Sequence, residues 1–256
     1  MRRQVVGRVL VLAGLFILAV CGGAGAEGFR NIASVTAEAY FNGDWRLETT
    51  DVLLARIVPS LTAVFKVSRV DSDGWNQHLF YLGPVVSFTD TLYLEAVYGL
   101  GIDSDASDGR FSHELDANFN YETEATATSL GLKANWFPGT GYSYYIPSLS
   151  GKFQPLPALG LFGKFFLSVD SDAVLTESFW GQADYRFSPL LGARAGFTVS
   201  KAAAFGYSLL AGIDFFFRSG LSLKYSFQYL SDRIEYLTSP QPRSGISNAL
   251  LLDVRF

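Results

Sequence analysis

Residues 250–256 read LLLDVRF, in which apolar and other side chains alternate up to a final aromatic residue. One face of this segment would carry Leu250, Leu252, Val254 and Phe256, and the other Leu251, Asp253 and Arg255. Successive residues of a β-strand point to opposite sides. The segment therefore predicts an amphipathic strand.

The same two-residue period continues upstream to about Ile32. Residues 221–229 (LSLKYSFQY) alternate large apolar side chains with Ser, Lys and Gln, and residues 205–217 and 92–100 follow the same rule. Nothing sustains a helical repeat, and Gly, Ser, Thr and aromatic residues inside these segments lower helix propensity. The sequence thus predicts an all-β chain.

The periodic segments are about 11–13 residues long, compared with about 5–6 for strands of soluble proteins. A tilted strand that crosses a bilayer needs roughly 9–11 residues. Aromatic residues such as Tyr98, Trp136, Phe205 and Tyr229 fall near the ends of the apolar faces, where barrel proteins meet the water–lipid boundary. Strand length and aromatic placement both favour a membrane-spanning barrel.

Turn residues separate the segments into short connections, such as Ser188-Pro189, and longer polar ones, such as 103–110 and 231–245. Short turns at one end and long loops at the other are typical of outer-membrane barrels. All short turns fall at one end of the barrel and all long loops at the other if Tyr142–Phe153 is an imperfect strand. That assignment gives about 14 strands. If that segment and Arg46–Ile57 are both loops, 12 strands remain. We predict a single transmembrane antiparallel up-and-down β-barrel of about 12–14 strands.

The final strand resembles the C-terminal recognition signal of bacterial outer-membrane β-barrel proteins, in which an amphipathic strand ends in an aromatic residue. The resemblance implies Leu250, Leu252, Val254 and Phe256 as the assembly signal. It also implies the barrel-assembly machinery and outer-membrane lipids as partners, and the bacterial outer membrane as the localisation. It identifies no subfamily.

Residues 1–26 predict a cleaved export signal, which leaves 27–256 as the barrel. Arg2, Arg3 and Arg8 precede an apolar run of about 12 residues, too short to span a bilayer as a helix, and Ala24-Gly25-Ala26 fits the cleavage pattern. Cys21, the only cysteine, lies in this leader. Its surroundings partly resemble a lipobox, so lipidation is the alternative.

The composition agrees with an export product whose outside faces lipid. Charged residues make up 17% of the chain and the mean hydropathy is +0.20, while soluble domains average about 25% charged residues. The net charge of −4 becomes more negative when the leader arginines are removed, which argues against nucleic-acid binding. Without Cys21, no disulfide, thiol chemistry or cysteine metal site is available.

Charged residues concentrate on the strand faces opposite the apolar ones, and those faces should line the lumen, the space inside the barrel. We predict that a charge network there includes Asp184, Arg186, Arg194, Asp214, Lys224, Asp253 and Arg255. Unpaired charges in a narrow lumen are costly, so acids and bases should pair. The network either supports the wall of a closed barrel or lines a polar pore.

The sequence gives little support for an enzymatic function. Outer-membrane lipid hydrolases place a Ser and a His together on the outer face, whereas Ser112 and His113 are adjacent and point to opposite faces. Aspartates at 71, 73, 103, 105 and 108 have the oxygen ligands that Ca²⁺ takes, but Asp-Gly-Ser sequences are ordinary turn chemistry. We predict no catalytic site, cofactor or metal.

The predicted function is a small porin-like channel or a closed structural barrel with a charged lumen. A surface adhesion barrel is the first alternative and a lipid-modifying enzyme the second. The sequence leaves open the solute, the oligomeric state and whether the lumen is open.

Overall fold

The computed structural model describes residues 29–40, 44–72, 75–103, 111–202, 205–218, 220–231 and 245–255. These residues form a closed antiparallel barrel of 14 strands in which each strand pairs with its neighbours in sequence and β1 pairs with β14. The predicted all-β, up-and-down barrel is confirmed, with the larger of the two predicted strand numbers. Within the described ranges, no helix is long and apolar enough to cross a membrane.

The strands run from 10 to 15 residues. Their bounds are β1 Phe29–Tyr40, β2 Trp45–Val58, β3 Leu61–Ser72, β4 Trp75–Ser87, β5 Leu92–Asp103, β6 Phe111–Glu122, β7 Thr126–Phe137, β8 Tyr142–Leu156, β9 Leu159–Asp170, β10 Leu175–Arg186, β11 Leu191–Lys201, β12 Phe205–Arg218, β13 Leu221–Leu230 and β14 Gly245–Arg255.

Period-two alternation gives the wall its two faces. On β12, Leu209 is 54% exposed and faces outward, while the adjacent Ser208 is 1% exposed and faces inward. Residues directly opposite each other in the ladder share a face, so Phe197, Leu209 and Tyr229 lie on one outward row. The outside is therefore covered with large apolar side chains, and the inside carries mostly small and polar ones.

β8 forms despite its proline residues, and the segment Tyr142–Phe153 is a strand as the loop pattern required. Pro147 has no N–H to donate, and the β8–β9 ladder is interrupted between Tyr145 and Ser148. A second irregularity lies between Phe153 and Leu156. The strand keeps full pairing with β7 on its other side, which holds it in the wall.

The two ends of the barrel differ. Residues 59–60, 88–91, 123–125, 157–158 and 187–190 connect strands at one end, here called the turn end, where β1 begins and β14 ends. The other end, here called the loop end, includes the connections 104–110 and 231–244. Gly220 at the turn end has φ +89°, and a Cβ there would lie 2.3 Å from the Arg255 carbonyl oxygen. Only glycine fits that turn without displacing the backbone.

Candidate functional site: the inward face of the barrel

Arg194 and Asp214 form the most shielded ion pair on the inward face. Arg194 Nη1 lies 3.5 Å from Asp214 Oδ1, and the two side chains are only 12% and 10% exposed. Arg194 stands opposite Gly212 on β12, so the missing side chain leaves room for the guanidinium. Lys224 is directly opposite Asp214. Among the described residues, neither Asp214 Oδ1 nor Arg194 Nε has a hydrogen-bond partner, so the contact is mainly electrostatic.

Asp184 and Arg186 share this face but bind elsewhere. Asp184 is directly opposite Arg194 in the ladder, yet its Oδ1 accepts a 2.8 Å hydrogen bond from Gln182 Nε2. Arg186 donates to the carbonyl oxygens of Ser188 and Pro189 at 3.3 and 2.8 Å. Its guanidinium also lies 4.5 Å from the centre of the Phe216 ring. Arg186 therefore holds the turn that follows β10.

Asp253 and Arg255 form a separate pair on β14, with Arg255 Nη2 3.1 Å from Asp253 Oδ2. The seven predicted network residues thus lie on the inward face in smaller groups. Within the described part of the chain, the ion pairs closer than 4 Å among them are Arg194–Asp214 and Asp253–Arg255. That all seven form one charge network stays a prediction.

A second charged region lies across the lumen on β1 to β7. Lys133 Nζ is 2.9 Å from Glu114 Oε2, and Arg46 Nη2 is 2.8 Å from Glu48 Oε2. The Lys66 ammonium lies 4.7 Å from the centre of the buried Tyr81 ring. Arg46, Glu48 and Tyr81 were not singled out from the sequence, although they share the inward period of their strands.

The inward face of β8 to β10 has a different character. We call Lys152, Phe162, Lys164, Phe166 and Trp180 the aromatic–lysine strip. The rings of Phe162 and Trp180 lie 4.8 Å apart, Lys164 is directly opposite Trp180, and Lys152 is directly opposite Phe162. Within the described residues, neither lysine has a carboxylate within 4 Å. These inward aromatic residues were not predicted, because apolar residues on strands were assigned to the outer face.

A small recess of about 60 Å³ opens beside this strip at the turn end. Its lining includes Tyr93, Asn120, Glu122, Ser129, Lys152 and Phe162. Amide, hydroxyl, carboxylate and ammonium groups therefore lie around an aromatic ring at this small concave surface.

His113, for which the sequence predicts no catalytic role, faces outward. His113 stacks on Trp136 with ring centres 5.9 Å apart, and its Nδ1 shares a hydrogen bond with the Tyr98 hydroxyl. Ser112 faces inward and is 6% exposed. In the described chain, no group of three or more His, Cys, Asp or Glu side chains forms a metal cage. Asp73, Asp105 and Asp108 lie outside the described residues.

The predicted assembly strand is β14. Leu250, Leu252 and Val254 are opposite the outward residues Tyr225, Leu223 and Leu221 of β13. Phe256, the leader 1–26 and Cys21 lie outside the described residues, so the assembly and export roles assigned to them stay predictions.

No family model matches this chain, and no curated protein does either. Solved structures share its fold. A bacterial polysaccharide outer membrane secretin superposes with a TM-score of 0.56 at 9% identity, covering 89% of this chain and 98% of that chain. OmpT, an outer membrane protein of Vibrio cholerae, gives 0.55 at 9% identity, with 89% and 96% covered.

A KdgM porin in complex with disordered oligogalacturonate gives a TM-score of 0.52 at 10% identity, with 88% of this chain and 99% of that chain covered. The fold is that of a bacterial outer-membrane β-barrel. The predicted class is confirmed at the level of fold. In outer-membrane β-barrels the outward apolar band meets lipid and the inward face meets water or other side chains.

Proposed function

We propose that this chain is an outer-membrane channel of the porin type that passes small polar solutes through its lumen. One observation carries the proposal. Lys152 and Lys164 point inward and have no carboxylate within 4 Å among the described residues. An ammonium group in a dry, packed interior is very costly without a partner, so water around these lysines is the simplest source of stabilisation. A hydrated interior favours a pore over a plugged barrel.

The fold supports an outer-membrane location, and so do the large apolar side chains around the outside, such as Leu209, Phe227 and Leu149. We propose that the chain reaches this membrane by a cleaved signal ending at Ala26 and is inserted by the barrel-assembly machinery. N-terminal sequencing of the outer-membrane form tests the cleavage, and a first residue other than Glu27 would contradict it.

Planar-bilayer recording on the refolded barrel tests the channel. Discrete conductance steps are expected, and Lys164→Glu should shift the ion selectivity towards cations because the lumen gains two units of negative charge. Lys201→Glu is the matched control, since Lys201 is exposed on the outward face at the loop end. An absence of steps, or equal selectivity shifts in both variants, would contradict the proposal.

We further propose anionic sugar chains as the solutes that use the aromatic–lysine strip. Rings such as Phe162 and Trp180 offer apolar faces for sugar C–H groups, and Lys152 and Lys164 offer partners for carboxylates. The KdgM structure named above was determined with oligogalacturonate. Adding oligogalacturonate should interrupt the conductance, and Trp180→Ala should weaken the block more than Phe216→Ala, which removes an inward ring outside the strip.

A further inference from the structure

Three aromatic rings meet at the loop end of the barrel, on the inward face of β7 and β8. We call Phe137, Tyr142 and Tyr144 the loop-end aromatic cluster. Their ring centres lie 6.1 to 6.2 Å apart in all three pairs, and the ring planes are tilted by 34° to 52°. Phe137 ends β7, Tyr142 begins β8, and the two are directly opposite each other across the hairpin. The cluster therefore lies at the mouth of the lumen.

The ladder registers put this cluster on the lumen side of the wall. Tyr144 is directly opposite Asn135 of β7, and Asn135 is opposite Glu114 of β6. Glu114 in turn forms the inward ion pair with Lys133. The next residue along β8, Tyr145, has the opposite orientation and is 51% exposed on the outer surface. An aromatic girdle at a membrane boundary faces lipid, so lipid contact does not account for the inward rings.

The turn between β9 and β10 holds the start of β8 in place. Asp170 Oδ1 accepts a hydrogen bond from the backbone N–H of Asp172 at 3.0 Å. The Tyr142 hydroxyl donates to Asp170 Oδ2 at 3.4 Å. The Ser171 backbone N–H donates to the Ser143 carbonyl oxygen at 2.8 Å. Groups that are already fixed lose little conformational entropy when a ligand binds, so the cluster is preorganised as a contact surface.

The rings keep accessible surface at this mouth. Tyr142 is 37% exposed, and Phe137 and Tyr144 are half-buried. Apolar ring surface in contact with water is unfavourable, so a ligand that covers the rings gains that free energy. A sugar ring has C–H groups on its faces and hydroxyl groups at its edge. It can therefore cover an aromatic ring while its hydroxyl groups stay in water or bond to the tyrosine hydroxyls.

The cluster and the aromatic–lysine strip lie on one wall of the lumen. β8 runs from Tyr142 and Tyr144 at the loop end to Lys152 near the turn end, and Lys152 is directly opposite Phe162 of the strip. Eight residues along β8 separate Tyr144 from Lys152, which is about 26 Å along the strand at about 3.3 Å per residue. A sugar chain that contacts the strip from the loop end therefore passes the cluster first.

We propose that the loop-end aromatic cluster is a sugar-binding subsite, in which a sugar ring stacks on Tyr142 or Tyr144 at the mouth of the lumen. The inference rests on the proposed function and adds a second site to it. The two sites differ in chemistry. The cluster contacts the ligand through ring faces, so it accepts uncharged as well as anionic sugars, whereas the lysines of the strip select carboxylates.

Isothermal titration calorimetry on the refolded barrel in detergent tests the subsite with two probes, oligogalacturonate and its fully methyl-esterified, uncharged form. The uncharged probe should bind, and Tyr144→Ala should weaken its binding about fivefold. Tyr144→Phe keeps the ring and should bind within about twofold of the unaltered chain. Tyr145→Ala is the matched control, because Tyr145 is the adjacent tyrosine on the outward face. Lys164→Glu should weaken only the charged probe.

The inference is overturned if the uncharged probe does not bind, or if Tyr144→Ala binds it as well as the control Tyr145→Ala. A Lys164→Glu variant that weakens both probes would overturn it too. Should Tyr144→Ala fail to refold, Tyr142→Ala at the end of β8 supplies the same comparison. Calorimetry needs no open pore, so the channel is judged separately. A barrel that lacks conductance but binds the uncharged probe through Tyr144 keeps the subsite and refutes the channel.

Discussion

Replacing Arg194 with alanine removes the cation from the best-shielded ion pair of the lumen. Breaking a fully buried pair costs about 3–5 kcal/mol and losing an exposed pair about 0–1 kcal/mol. The side chains of Arg194 and Asp214 are 12% and 10% exposed and 3.5 Å apart, which lies nearer the buried case. Two features lower the expected cost: the contact lacks hydrogen-bond geometry, and Lys224 remains opposite Asp214. We expect a loss of about 2 kcal/mol in the free energy of unfolding.

Urea unfolding of the barrel in lipid vesicles, followed by tryptophan fluorescence, measures this loss. The matched control is Arg46→Ala, because Arg46 is also inward and paired but 36% exposed, and its cost should stay within about 1 kcal/mol. A double-mutant cycle with Asp214→Asn should give a coupling of about 1 kcal/mol or more. Equal losses for Arg194→Ala and Arg46→Ala, or a coupling near zero, would refute the reasoning. Since the pair is packed against the wall, the conductance should change little.

Three further outcomes follow from the wall itself. Folded barrel should migrate differently on SDS gels before and after boiling, because a closed wall has no free edge for detergent to open; identical migration of folded and boiled protein would contradict closure. Leu209→Arg should destabilise the barrel in lipid by about 2 kcal/mol, whereas Leu210→Arg, one residue along on the inward face, should be tolerated; similar losses would mean that the two faces are misassigned. Gly83→Ala should cost about 1–3 kcal/mol, since its Cβ would lie 1.9 Å from the Ala96 carbonyl oxygen, and Gly160→Ala, with its nearest neighbour at 4.0 Å, should be nearly neutral. Refolding titrations in urea measure the loss of stability in each of the two glycine variants.

Alternation in the sequence is enough to predict the strands and their faces, because each residue of a strand turns its side chain to the opposite side. It places Asp184 and Arg194 on one face, where the structure has them directly opposite each other. It does not predict that Asp184 takes Gln182 as its partner, since the choice depends on side-chain reach within one strand as well as across the ladder.

The aromatic–lysine strip and the outward Asp51 show where the same rule is insufficient. Alternation assigns large apolar residues to lipid and charges to the lumen, so Phe162 and Trp180 inside, and Asp51 outside, are exceptions to it. Both exceptions became visible only when the ladder registers fixed which residue is opposite which. The aromatic–lysine strip is also the position from which a solute contact is proposed.

The pairing of β1 with β14 imposes an order of events on folding. Every other pair of neighbouring strands is a hairpin of two strands that are consecutive in sequence. The β1–β14 pair instead joins Tyr40 to Ser247 and Ile32 to Arg255. Closing a loop of roughly 200 residues costs about 5 kcal/mol of chain entropy. Before that step both terminal strands expose unpaired backbone groups, which are templates for misassembly. The enclosed lumen therefore forms in a single step, when the first strand pairs with the last. A chain that stops at 13 strands is an open, aggregation-prone sheet without a lumen.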